Sequence, residues 1–121
     1  MNIPKLIRSF RYAFEGLWLA VKVDQNVRFH LIVGVLVVAS SIWLRVSQFE
    51  FLFIIFAIFF VVICEMLNTA IEEMTNLIKT EHSMEAKIAK DIAAASVFLS
   101  AVFALLVGFF ILVPKLISVF N

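Results

Sequence analysis

Hydrophobic and polar positions divide this chain into one segment with a helical period and three segments that are apolar almost throughout. In the first, at about 4–22, Ile3, Leu6, Ile7, Phe10, Phe14, Leu17, Trp18 and Val21 recur at three- and four-residue spacing, the period of a helix. Lys5, Arg8, Arg11 and Glu15 fall on the other face. A basic face opposite Phe and Trp predicts a helix lying in a membrane interface; docking on the other helices is compatible with it.

The later segments carry no such alternation. The stretch 31–44 is uncharged, and with Val27 and Phe29 below it, and Arg28 and His30 snorkelling, it predicts a span over about 27–46. A second span is predicted at about 51–75, apolar from 51 to 64 and then carrying polar residues. The third, at about 90–114, is uncharged from 92 to 113, and Pro114 marks its expected end. On this last helix Ser96, Ser100, Ala104 and Gly108 recur every four residues, a small-residue stripe that predicts a tight helix–helix seam, within the chain or between chains. The fold expected is therefore all-α and membrane-embedded, one domain over 1–121 with an interfacial helix and three transmembrane helices.

Composition agrees. Hydrophobic residues make up 64% of the 121 residues and charged residues 16%, against about half and a quarter in soluble domains. The net charge of +1 gives no basic field for nucleic acid, and no recognition motif for it is present. Cys64 has no partner for an internal disulfide and sits in an apolar run as a small packing residue. The charges spread through residues 1–22 do not fit a cleavable signal peptide. Basic residues set the topology: Lys5, Arg8, Arg11, Lys22 and Arg28 precede the first span, and Lys79, Lys87 and Lys90 lie between the second and third. Only Arg45 and Lys115 mark the other side. The positive-inside rule places the N-terminus and the 79–90 region in the cytoplasm.

Candidate chemistry is concentrated at 65–76. Helical offsets of three, seven and eleven put Glu65, Asn68, Glu72 and Asn76 on one stripe. Glu65 lies roughly 21 Å along the helix from Phe51 at about 1.5 Å per residue, inside a hydrocarbon core about 30 Å thick, and Glu72 is near its boundary. A carboxylate at that depth is costly and marks function more often than glue once four polar residues share the stripe. Lys90 and Asp91 open the last span, and Asp24, beside Gln25 and Asn26, stands just before the first; alone these read as a snorkelling lysine, a helix-dipole acid and a helix cap. The only glycines are Gly16, Gly34 and Gly108, so no glycine-rich loop can cradle phosphates. His30, His82 and Cys64 lack zinc-ligand spacing. Two interfacial carboxylates, a lysine and a buried glutamate nevertheless supply what phosphoryl transfer requires: an oxygen-ligated Mg²⁺, charge neutralisation of ATP and a proton acceptor.

At these residues the chain resembles the small prokaryotic integral membrane diacylglycerol kinase family, which includes undecaprenol kinases. The resemblance rests on Glu65-Met66-Leu67-Asn68-Thr69-Ala70-Ile71-Glu72, close to E-x-x-N-[ST]-A-I-E, and on Ala89-Lys90-Asp91. It is also carried by Ser9-Phe10-Arg11-Tyr12-Ala13-Phe14-Glu15-Gly16 and by Asp24-Gln25-Asn26-Val27-Arg28-Phe29-His30. It implies a homotrimer with active sites shared between subunits at the cytoplasmic interface, and ATP- and Mg²⁺-dependent phosphorylation of a membrane lipid hydroxyl. Carried over, Glu65 is the general base and Asn68 orients the reacting groups. Asp24 and Glu72 hold the metal; Tyr12, Asp24, Glu72, Glu81, Lys90 and Asp91 contact ATP; Lys5, Arg8 and Glu65 meet the lipid. The chain departs from the family pattern in having Asp24 for a usual Glu, Asn76 for a common acid, and a divergent loop at 79–85 apart from Glu81. Asp24-Gln25-Asn26, His30 and Asn68-Thr69 resemble the undecaprenol kinases more than the Gram-negative diacylglycerol kinases, so undecaprenol is the substrate expected and diacylglycerol the alternative. An ion-conducting oligomer would also line a helix face with polar groups, but 51–64 is apolar all round. A non-catalytic assembly subunit would account for the small-residue stripe and not for Asp24, Glu65, Glu72 and Lys90 at one depth.

Overall fold

A computed structural model describes residues 1–78 and 83–121. They form four helices: α1 (Ile3–Val23), α2 (Gln25–Trp43), α3 (Gln48–Ile78) and α4 (Met84–Phe120). The last three are long and apolar enough to cross a membrane, and large apolar side chains such as Phe53, Phe59, Leu99, Leu105 and Phe110 face outward along their length, as a lipid solvent requires.

Local chemistry fixes each boundary. Asn2 caps α1 by accepting the Lys5 N–H at 3.1 Å, and Pro4 occupies the first turn, where its missing N–H costs nothing. Asp24 ends α1 and starts α2: its backbone N–H donates to Ala20 O at 2.9 Å, and its Oδ1 accepts the Asn26 N–H at 2.8 Å. Arg28 reinforces the corner, one guanidinium nitrogen donating to the carbonyls of Val21 and Lys22 at 2.8 and 2.9 Å. The α2–α3 turn is a Schellman-type stop, with Arg45 left-handed at φ 56° and Val46 N–H donating to Ser41 O. A reciprocal capping box follows, in which Glu50 Oε1 accepts the Ser47 N–H at 2.8 Å and Ser47 Oγ accepts the Glu50 N–H at 3.2 Å. Ser83 caps α4.

α3 is the centre of the bundle, packing most extensively on α4 and then on α2, while α1 touches α2. Ile54, Ala57 and Val61 form its buried face, and Phe56 and Phe60 meet Phe103 of α4 edge-on at centroid distances of 5.8 and 6.0 Å. α2 approaches closely at Gly34, where a Cβ would lie 2.9 Å from Ile58 Cγ2. No residue of α1 is buried. Its Ile7, Phe10, Phe14 and Trp18 are uncovered by the rest of the chain, which is the arrangement of a helix whose apolar face meets lipid.

One expectation changes. α4 does not stop at Pro114 but continues to Phe120; proline removes one backbone bond, which an established helix in an apolar environment tolerates. The small-residue stripe also divides. Ser100 is fully buried against the bundle, whereas Ser96 is exposed and a Cβ on Gly108 would touch nothing within 4 Å. A four-residue step overshoots a full helical turn by about 40°, so the stripe winds out of the seam.

Candidate active site

The polar groups of α2 and α3 meet because the two helices run antiparallel out of a short turn, which sets Asp24 beside Thr69 and His30 beside Glu65. At about 1.5 Å per residue, Glu65 lies about 26 Å along α3 from Gln48 and Glu72 about 36 Å, so the pair straddles the edge of a hydrocarbon layer about 30 Å thick.

Glu65 is buried, its side chain 3% exposed. One carboxylate oxygen, Oε1, faces His30 Nε2 at 3.3 Å; the other, Oε2, is buried without a hydrogen-bond partner. Asn68, one turn on, donates from Nδ2 to Glu72 Oε1 at 3.3 Å and leaves its Oδ1 buried and unpartnered. Among the described residues these are two unsatisfied acceptors one turn apart on a membrane helix, an expensive arrangement that a donor reaching them would relieve. Thr69 donates its hydroxyl to Asp24 Oδ2, with the Glu65 carbonyl 3.0 Å away as the alternative acceptor. Asp24 is thus a cap, as its sequence context implies, and also the tie between the start of α2 and the polar stripe.

The stripe reaches α4 through Asn76, whose Oδ1 accepts from Lys90 Nζ at 2.6 Å. Asp91 is exposed and faces Lys87 at 2.6 Å, away from the stripe. Lys5, Arg8 and Tyr12 lie on exposed faces of α1. The Arg11 guanidinium lies 5.6 Å from the centre of the Tyr12 ring, and among the described residues no hydrogen bond or ion pair joins Lys5, Arg8 or Tyr12 to the stripe. Glu81 lies outside the described residues.

Two members of the cluster have no counterpart in the reading of the sequence. His30, expected to snorkel, turns inward to Glu65 and is half-buried. Thr69 was only part of a motif. A histidine at the mouth of a span, six residues after an acid that caps it, was the available sign; the partner across the helix interface was not. Beyond His30 an apolar groove of about 930 Å³ opens between α2, α3 and α4, bordered by Phe29, Val33, Val61, Leu105 and Phe109.

The donor chemistry around Asp24 and Glu72 is carboxylate and amide oxygen. Among the described residues no three His, Cys, Asp or Glu side chains converge on a complete metal cage. That set fits Mg²⁺, which commonly uses one or two carboxylates together with substrate phosphates and water, and does not fit zinc.

Comparison with known proteins agrees with this geometry. The model of the family described as prokaryotic diacylglycerol kinase matches residues 11–112, from the middle of α1 to the last turns of α4. A diacylglycerol kinase of Synechocystis sp. is 38% identical over 116 residues, covering 95% of this chain and 66% of the relative, so the chain spans about two thirds of that protein's length. An undecaprenol kinase of Bacillus subtilis is 34% identical over 115 residues, covering 95% of this chain and 94% of the relative. A diacylglycerol kinase of Haemophilus influenzae is 30% identical over 99 residues, 82% and 84% of the two chains. A match running through all four helices and including the polar cluster makes this membrane protein a member of the prokaryotic diacylglycerol kinase family, a lipid kinase.

Proposed function

We propose that the chain transfers the γ-phosphate of MgATP to the terminal hydroxyl of undecaprenol, giving undecaprenyl phosphate and ADP. It does so at the cytoplasmic face of a bacterial inner membrane, as a homotrimer with sites shared between subunits. The observation that carries the reading is Glu65: a buried carboxylate with one oxygen unpartnered, near the edge of the bilayer. An amphiphilic alcohol brings its hydroxyl to that depth by its own solubility.

Glu65 Oε2 accepts the hydroxyl proton as the lipid oxygen bonds to the γ-phosphorus and the bond to the β,γ-bridging oxygen breaks. Asn68 Oδ1 accepts from a second donor of the substrates and fixes their orientation. Asp24 and Glu72 are the residues that would hold the metal, which when bound neutralises developing phosphate charge. Lys90 turns from Asn76 toward the polyphosphate, with Asp91, Tyr12 and Glu81 around the nucleotide; Lys5 and Arg8 meet the lipid headgroup side.

The undecaprenol assignment is supported by similarity to the Bacillus subtilis undecaprenol kinase over 94% of its length and by the resemblance of Asp24-Gln25-Asn26, His30 and Asn68-Thr69 to the undecaprenol kinases. Diacylglycerol is the second reading, favoured by the 38% identity to the Synechocystis diacylglycerol kinase. Purified protein in detergent with added lipid, given labelled MgATP and either alcohol, tests both. Transfer to undecaprenol with the higher kcat/KM is the expected result. Preference for diacylglycerol would reassign the substrate, and no transfer to either by folded protein would overturn the kinase reading.

A further inference from the structure

We infer that His30 is a positioning residue for Glu65, occupying Oε1 so that Oε2 is the one oxygen presented to the lipid hydroxyl. The inference rests on the reading of Glu65 as proton acceptor. A carboxylate at the end of a glutamate side chain turns about a soft terminal torsion, and its two oxygens are chemically equivalent when free. Here they are not equivalent: Oε1 faces the imidazole Nε2 at 3.3 Å, and Oε2 has no hydrogen-bond partner among the described residues. Of the side chains α2 sends toward this carboxylate, His30 is the one within ion-pair distance.

The ring is itself held. Phe29 meets it edge-on at a centroid distance of 5.4 Å, and both residues border the apolar groove. With Nε2 as the protonated nitrogen, assigned from its carboxylate neighbour, the imidazole N–H stands 3.3 Å from Oε1, a contact that tightens to a hydrogen bond once the substrates are seated and so fixes the plane of the carboxylate. Asp24, the other acid α2 brings to α3, is engaged through Thr69 one helical turn away and does not compete for the imidazole. An apolar residue at position 30 would border the groove equally well but leave Glu65 free to rotate. Glutamine, whose amide nitrogen reaches about as far as Nε2, would restore the donor.

The test compares His30→Leu and His30→Gln in the wild-type and Glu65→Gln backgrounds, reading kcat, the lipid KM and thermal stability. His30→Leu is expected to lower kcat by about 10²-fold, the effect of a misplacement of about 1 Å, with lipid KM changed less than about threefold and His30→Gln recovering most of the loss. Against the residual activity of Glu65→Gln, His30→Leu is expected to have no further effect. Unchanged kcat in His30→Leu overturns the inference, as does an equal loss in both backgrounds or a change confined to KM. Wild-type protein that phosphorylates no lipid would instead overturn the kinase reading itself. If His30→Leu does not fold, ¹⁵N-labelled imidazole in otherwise unaltered protein serves: a His30 Nε2 resonance that moves on Glu65→Gln supports the pair, and one that stays in place overturns it.

Discussion

α3 carries two carboxylates placed in opposite ways. Glu50, in its first turn, is partnered and reaches solvent: Oε1 accepts the Ser47 N–H at 2.8 Å and lies 3.6 Å from Lys115 Nζ of α4, and the side chain is 32% exposed. Glu65, four turns on, is 3% exposed, has one loose neighbour in His30 and leaves an oxygen with none. The first is a local structural device whose interactions lower the free energy of the fold. The second is a cost that folding alone does not explain. One helix therefore contains both a residue kept for stability and a residue kept in spite of it, and the two should respond to the same chemical change in opposite directions.

The sharpest separation is expected from amidation. Glu65→Gln should lower kcat by roughly 10³-fold, the range of general-base catalysis, while thermal unfolding shows equal or greater stability; a variant that keeps full turnover would remove Glu65 from proton transfer. Glu72→Ala comes next. It should raise the Mg²⁺ concentration needed for half-maximal activity by about tenfold or more, the loss of one charged oxygen ligand; an unchanged metal titration would end the assignment of Glu72 as a ligand. A packing contrast is smaller. Gly34→Ala places a Cβ against Ile58 and should destabilise by roughly 1–3 kcal/mol, whereas Gly108→Ala, facing open space inside a helix, should stabilise by up to about 1 kcal/mol in chemical unfolding. Glu50→Gln closes the comparison: about 1 kcal/mol or less of stability lost with the cap and the surface pair, and turnover within about twofold of wild type.

The four helices were legible because their cause is local: a three- and four-residue period in 4–22, and apolar runs too long for a soluble core elsewhere. The stripe of Glu65, Asn68 and Glu72 was legible for the same reason, since positions on one helix follow from counting. His30 and Thr69 were not, because their roles depend on the antiparallel register of α2 against α3. That register is set by a left-handed Arg45 and a capping box at Ser47 and Glu50, and by the close approach at Gly34. Lys90 was visible as a basic residue at a helix start, and its bond to Asn76 was not. Pro114 misled because its effect in water differs from its effect where neighbouring backbone bonds have nothing else to bind.

The lengths of the helices bear on how this enzyme reaches an insoluble substrate. α2 has 19 residues and α3 has 31, about 28 and 46 Å, so α3 stands clear of the hydrocarbon at one end while Glu65 stays below its surface. An enzyme whose proton acceptor sat wholly in water would have to extract the alcohol. Each methylene drawn out costs about 0.8 kcal/mol, and four of them, about 3 kcal/mol, would reduce the reactive population by roughly 10²-fold. With Glu65 in its proposed role, a carboxylate at the depth of the alcohol removes that extraction work, and the search for substrate becomes lateral diffusion in a plane.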